Sequence, residues 1–216
     1  MLISHKHKFI TIDIPKTGTR SLRETIEKVC PIDLYGIETE KHLFYQHNTA
    51  LECKQALKTI DLNFSEYFSF TIVRNPWERY LSFFKYYREK AEEYLKTTDF
   101  KEWTDPEILQ GKFASNLFNK NEQHILKTLI INQPEQSHYF LNDNQDIVVS
   151  HVARFENLQN EFDYFCETVG VDKIKLLHSN KSETKISCSD IYNQELIDLV
   201  EEKERYLINF KKYEFK

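Results

Sequence analysis

Ile14-Pro15-Lys16-Thr17-Gly18-Thr19-Arg20-Ser21-Leu22 is the stretch that decides how this chain folds. Before it, Lys8 to Ile14 predicts a short strand, with Phe9, Ile10, Ile12 and Ile14 supplying apolar, largely β-branched bulk. After it, Leu22, Ile26 and Val29 recur at the spacing of one buried helix face. A strand, a tight polar turn and a helix in that order form an anion cradle. The first-turn N–H groups lack internal partners, and the helix dipole favours negative charge there. Thr17, Thr19 and Ser21 offer hydroxyl donors, Gly18 allows close backbone approach, and Lys16 brings a mobile positive charge. The stretch reads as a phosphate-binding loop.

The place of the lysine decides which kind. In the nucleotide triphosphatase loop, Lys follows the second glycine and precedes a Ser or Thr that meets magnesium. Here Lys16 precedes the loop's only glycine, and no G-x-x-x-x-G-K-S/T occurs in the chain. The order Pro15-Lys16-Thr17-Gly18-Thr19 resembles instead the 5′-phosphosulfate loop of sulfotransferases that use 3′-phosphoadenosine 5′-phosphosulfate (PAPS).

A second stretch supports that resemblance. Phe68 to Val73 has strong strand character, Asn75 suits a helix cap, Pro76 its first position, and Glu78 a capping box. Trp77, Tyr80, Leu81, Phe84, Tyr87 and Ala91 continue as a helical core stripe to about Leu95. Arg74 ends the strand and Ser82 falls about two turns into the helix, at the carboxyl end of the sheet, where open α/β sheets bind ligands. The segment Val73 to Ser82 resembles the 3′-phosphate-binding segment of PAPS-dependent sulfotransferases, which implies that Arg74 and Ser82 hold that phosphate. Val152-Ala153-Arg154-Phe155-Glu156-Asn157-Leu158 resembles the type 2 family, which includes many carbohydrate sulfotransferases; its arginine and glutamate read as structural. His178 to Ser182 resembles the loop that closes over the nucleotide, implying contacts from Asn180 and Lys181.

The remaining elements are read from local pattern. Pro31 to Tyr45 is a connection with a short strand near Ile32 to Tyr35, and Ala50 to Ile60 is a helix capped by Asn48 or Thr49. Residues 96 to 146 are polar and irregular, with a helix near Asn121 to Ile131; in this fold class such an insertion shapes the acceptor site. Ile147 to Arg154 is a strand, and Asn157 to Val169 a helix stopped by Gly170. Gln194 to Phe210 is one closing amphipathic helix, with Tyr213 and Phe215 tucking in the tail.

With 216 residues, 40% hydrophobic and 14% aromatic, the chain fits one globular domain over its full length. The net charge of −5 argues against a general nucleic-acid binder. No apolar run approaches a membrane span and no signal-peptide pattern precedes the first predicted strand. Cys30, Cys53, Cys166 and Cys188 are widely spaced and read as reduced thiols of a cytoplasmic protein.

The expectation is an α/β domain with a mostly parallel sheet flanked by helices, similar to the nucleotide kinases. The resemblance implies transfer of a sulfuryl group from PAPS to a hydroxyl, of a saccharide or glycoconjugate, leaving adenosine 3′,5′-bisphosphate, with no metal. Lys16 steadies the bridging oxygen, while Thr17, Gly18, Thr19 and Ser21 cradle the 5′-phosphate. Arg20 stands where the family usually has a small hydroxyl residue, and either contacts the phosphosulfate or points to solvent. Asp13 beside the cradle calls for a cationic partner, from Arg20 or a lysine. His47 is the candidate general base, with Asp13 and Glu52 as competitors. Two rival readings are a nucleotide or metabolite kinase, opposed by the lysine order and the lack of a Walker-type acidic strand, and a non-catalytic nucleotide-binding protein.

Overall fold

A computed structural model describes residues 1–36, 43–96, 121–177 and 185–216. By internal contact they form two compact units, Met1–Arg74 with Glu135–Asn180, and Asn75–Pro134 with Lys181–Lys216.

The first unit carries the sheet. Its strands are β1 (Leu2–Ser4), β2 (Phe9–Ile12), β3 (Leu34–Tyr35), β4 (Phe68–Val73) and β5 (His151–Arg154), in the order β3-β1-β2-β4-β5. β2, β4 and β5 are parallel neighbours. β1, however, runs antiparallel to both β2 and β3. Among the described residues the sheet is therefore mixed, with two of its four pairings antiparallel, which corrects the mostly parallel expectation. The cause is β1 itself: three residues are too few to show an alternation, yet they pair with β2 through a tight turn that puts Lys8 at φ 49°.

Helices α1 (Thr19–Val29), α2 (Ala50–Lys58) and α5 (Leu158–Val169) belong to the same unit; between α2 and α5 in sequence come α3 (Pro76–Lys96) and α4 (Glu122–Asn132) of the second unit. One apolar cluster joins Phe9, Phe70, Ile72 and Ala153 of the sheet to Leu22 and Ile26 of α1 and Phe162, Phe165 and Val169 of α5. The period-two alternation of the strands turns Ile3, Ile10 and Ile12 to the other face, where they are equally buried. Local signals end these helices as read. Thr49 and Glu52 form a reciprocal capping box on α2, and Gly170 closes α5 in the left-handed conformation.

The second unit is helical: α3 (Pro76–Lys96), α4 (Glu122–Asn132), α6 (Cys188–Ile191), α7 (Gln194–Lys203) and α8 (Arg205–Lys211). Asn75 accepts from the Glu78 N–H at 3.3 Å, and Asn121 caps α4. The tail packs as expected, with Phe215 edge-on to Trp77 and Tyr192. The single closing helix is instead bent at Glu204 into α7 and α8. There the buried Glu204 carboxylate accepts from Arg79 (3.3 Å) and Tyr80 (3.0 Å), partners no helical periodicity can announce. All four cysteines are buried and unbridged. Among the described residues no helix is long and apolar enough to cross a membrane.

Candidate active site

The turn between β2 and α1 is built from two left-handed residues, Lys16 (φ 67°) and Gly18 (φ 82°). Between them Thr17 is fully buried, and its hydroxyl donates to the Ile14 carbonyl at 2.8 Å. The expected hydroxyl donor is thus spent on closing the loop: Thr17 shapes the cradle. Gly18 is the N-cap of α1 and makes no side-chain cap hydrogen bond, and the first turn holds no acid. Thr19 to Ser21 therefore open the helix with N–H groups whose partial positive charge no acidic residue of that turn offsets. A β-carbon on Gly18 would lie 2.7 Å from the ring of Phe155, so this glycine is required both by its backbone and by its neighbour.

Arg20 takes the solvent option. Its side chain is 70% exposed and pairs with Glu24 at 2.9 Å, one helical turn on. Asp13 finds other partners than those expected. Its buried carboxylate accepts from the Thr11 hydroxyl (3.0 Å), meets the Met1 amino group, and has Arg23 at 3.9 Å.

Arg74 follows the last residue of β4, and its guanidinium reaches toward the Lys16 carbonyl at 3.5 Å. The carbon at the centre of that group stands 4.5 Å from the centroid of the Phe155 ring. The fold thus brings the arginine of one sequence motif onto the loop of the other. Its main chain is held by Gln136, whose amide oxygen accepts from the Arg74 N–H (2.8 Å) and whose amide nitrogen donates to the Arg74 carbonyl (2.9 Å). Neither Phe155 nor Gln136 was assigned a role from sequence. Phe155 lay inside a recognised motif, but Gln136 sits in a stretch without any local pattern.

His47 lies beside the same loop. Its Nδ1 is 2.8 Å from the main-chain carbonyl of Asp13, and Tyr45 stands edge-on to its ring. Burial pushes its pKa below the usual histidine value, only partly opposed by the Asp13 carbonyl and carboxylate. Of the competing bases, Glu52 is committed to the Thr49 N–H at 2.7 Å, and Asp13 is wholly buried among its partners. Arg154 and Glu156 pair with each other at 3.8 Å on the surface. Ser82 belongs to the second unit, partly buried in the second turn of α3. Asn180 and Lys181 lie outside the described residues.

No curated protein matches the chain significantly in sequence. The loop around Lys16, the strand-end Arg74 and the motif around Phe155 together have the character of one family, and that family's sequence profile runs over residues 1–214: the chain belongs to the sulfotransferase family, in the type 2 branch that its motifs resemble.

Proposed function

We propose that this chain transfers a sulfuryl group from PAPS to a hydroxyl of a saccharide or glycoconjugate. The observation that carries the reading is the meeting of Lys16, Arg74 and His47 at one loop, at the Gly18-capped start of α1. Two cations and an acid-free helix start suit a donor with a phosphate at each end. When bound, PAPS supplies the sulfuryl group and departs as adenosine 3′,5′-bisphosphate.

The chain's own residues then have distinct tasks. The first-turn N–H groups of α1, with Ser21 nearby, hold the 5′-phosphate, and Lys16 offsets the charge that develops on the bridging oxygen. Arg74 holds the 3′-phosphate, and the sequence resemblance adds Ser82 to that task. Nδ1 of His47 donates to the Asp13 carbonyl, which leaves Nε2 to take the proton of the acceptor hydroxyl. The four buried, unbridged thiols suit a reducing compartment such as the cytoplasm. The family match through both units supports treating residues 1–216 as one functional domain.

Thermal shift followed by turnover tests the proposal. Adenosine 3′,5′-bisphosphate should raise Tm, and PAPS with a hydroxyl acceptor should give sulfated product. Stabilisation by ATP with magnesium in place of the bisphosphate would make the chain a kinase. Bisphosphate binding without turnover across an acceptor screen would make it a nucleotide-binding protein.

A further inference from the structure

The ladder between β4 and β5 ends at the pair Val73 and Arg154, so Arg74 stands one residue beyond the sheet. A main chain that has left its ladder commonly turns to water for its hydrogen bonds. Here it does not. Gln136, fully buried and 62 residues distant in sequence, engages both main-chain groups of Arg74. An amide that accepts from the N–H and donates to the carbonyl of one residue reproduces the exchange of a hydrogen-bonded antiparallel pair. Only one orientation of the Gln136 amide satisfies both bonds, so the pairing fixes the side chain as well as the strand end. Extending the ladder by this one rung fixes the φ and ψ of Arg74, and with them the direction in which its Cβ leaves the backbone. Farther out, the face of Phe155 supports the guanidinium and the Lys16 carbonyl lies at its tip. Root, plane and tip of one arginine are each set by a different segment of the chain. Such over-determination is what a pre-organised anion contact requires.

We infer that Gln136 is a positioning residue for recognition of the donor's 3′-phosphate, acting through the main chain of Arg74, with Phe155 aligning the guanidinium. The inference rests on the assignment of Arg74 to that phosphate.

Calorimetric titration of the full chain with adenosine 3′,5′-bisphosphate and with AMP, which lacks the 3′-phosphate, tests it. Gln136→Met keeps the volume of the side chain and removes both bonds. It should lower the preference for the bisphosphate over AMP by about tenfold, with AMP affinity unchanged. Gln136→Glu keeps an acceptor for the Arg74 N–H and should lose less than Gln136→Met. Phe155→Leu should also lower the preference. In an Arg74→Ala background, where no guanidinium remains to be placed, Gln136→Met should leave the preference where it is. Equal losses for both ligands, or the same loss of preference without the Arg74 guanidinium, would overturn the inference and make Gln136 part of the scaffold. Failure of both Gln136 variants to fold would do the same. If Arg74→Ala itself keeps the wild-type preference, the assignment of Arg74 is what has failed, and the two failures are thereby told apart.

Discussion

His47 Nδ1 donates to the main-chain carbonyl oxygen of Asp13 across 2.8 Å, and this one bond fixes the state of the ring. A carbonyl can only accept, so Nδ1 carries the proton and Nε2 keeps its lone pair in the neutral imidazole. Burial lowers the pKa, so the neutral form persists below the ordinary histidine value of about 6.5. The acid limb of the pH–rate profile should therefore have its midpoint below that value, and His47→Ala should lose the limb with most of the turnover. Bisphosphate affinity should be unchanged; near-normal turnover in the variant would move the role of base to Asp13 or Glu52.

The same shift has a consequence for stability. The unfolded chain takes up a proton at His47 near pH 6.5, before the folded chain does, so the unfolded state binds more protons in that window. Stability should fall as pH drops through about 6.5 toward the lower folded pKa, and His47→Gln should flatten that part of the curve. Urea titrations across pH would show it.

Lys16 has two separable roles. Loss of its amine should lower turnover by about 10²–10³ while changing bisphosphate affinity far less. Its backbone sits at φ 67°, where a β-carbon costs about 1–2 kcal/mol. Lys16→Gly should thus be more stable than Lys16→Ala by about 1 kcal/mol, with both equally slow. Equal stabilities in chemical denaturation would count against a strained loop.

Gly18→Ala meets both a left-handed φ of 82° and the Phe155 ring at 2.7 Å. The variant should lose about 2 kcal/mol or more and bind nucleotide poorly. Adding Phe155→Leu should relieve the contact but not the backbone, giving a partial return of stability. Full return would assign the whole cost to the ring.

Glu204 and Arg79 form a fully buried ion pair, at 3.3 Å, to which Tyr80 adds a hydroxyl. Glu204→Ala leaves a buried guanidinium without its carboxylate and should cost about 3–5 kcal/mol. Glu204→Gln, which keeps an acceptor for Tyr80, should cost less. Comparable Tm values for Glu204→Ala and wild type would show the pair to be dispensable.

The sequence by itself determined what depends on near neighbours. The strand, turn and helix around Lys16 followed from apolar spacing and one glycine, and the Thr49 cap of α2 is one of the two that its sequence offers. The strand Phe68–Val73, the helix near Asn121 and the Gly170 stop are of the same kind, since each is decided within a few helical turns or one strand length. Tertiary structure alone decided the rest. It made the sheet mixed through the three residues of β1, bent the last helix at Glu204, and seated His47 on a carbonyl 34 residues away. It also put Gln136 on Arg74 and Phe155 against Gly18. A side chain's type states which bonds it can make but not which distant main-chain group it will meet. That group is chosen only when the strands have taken their order and brought it within 3 Å.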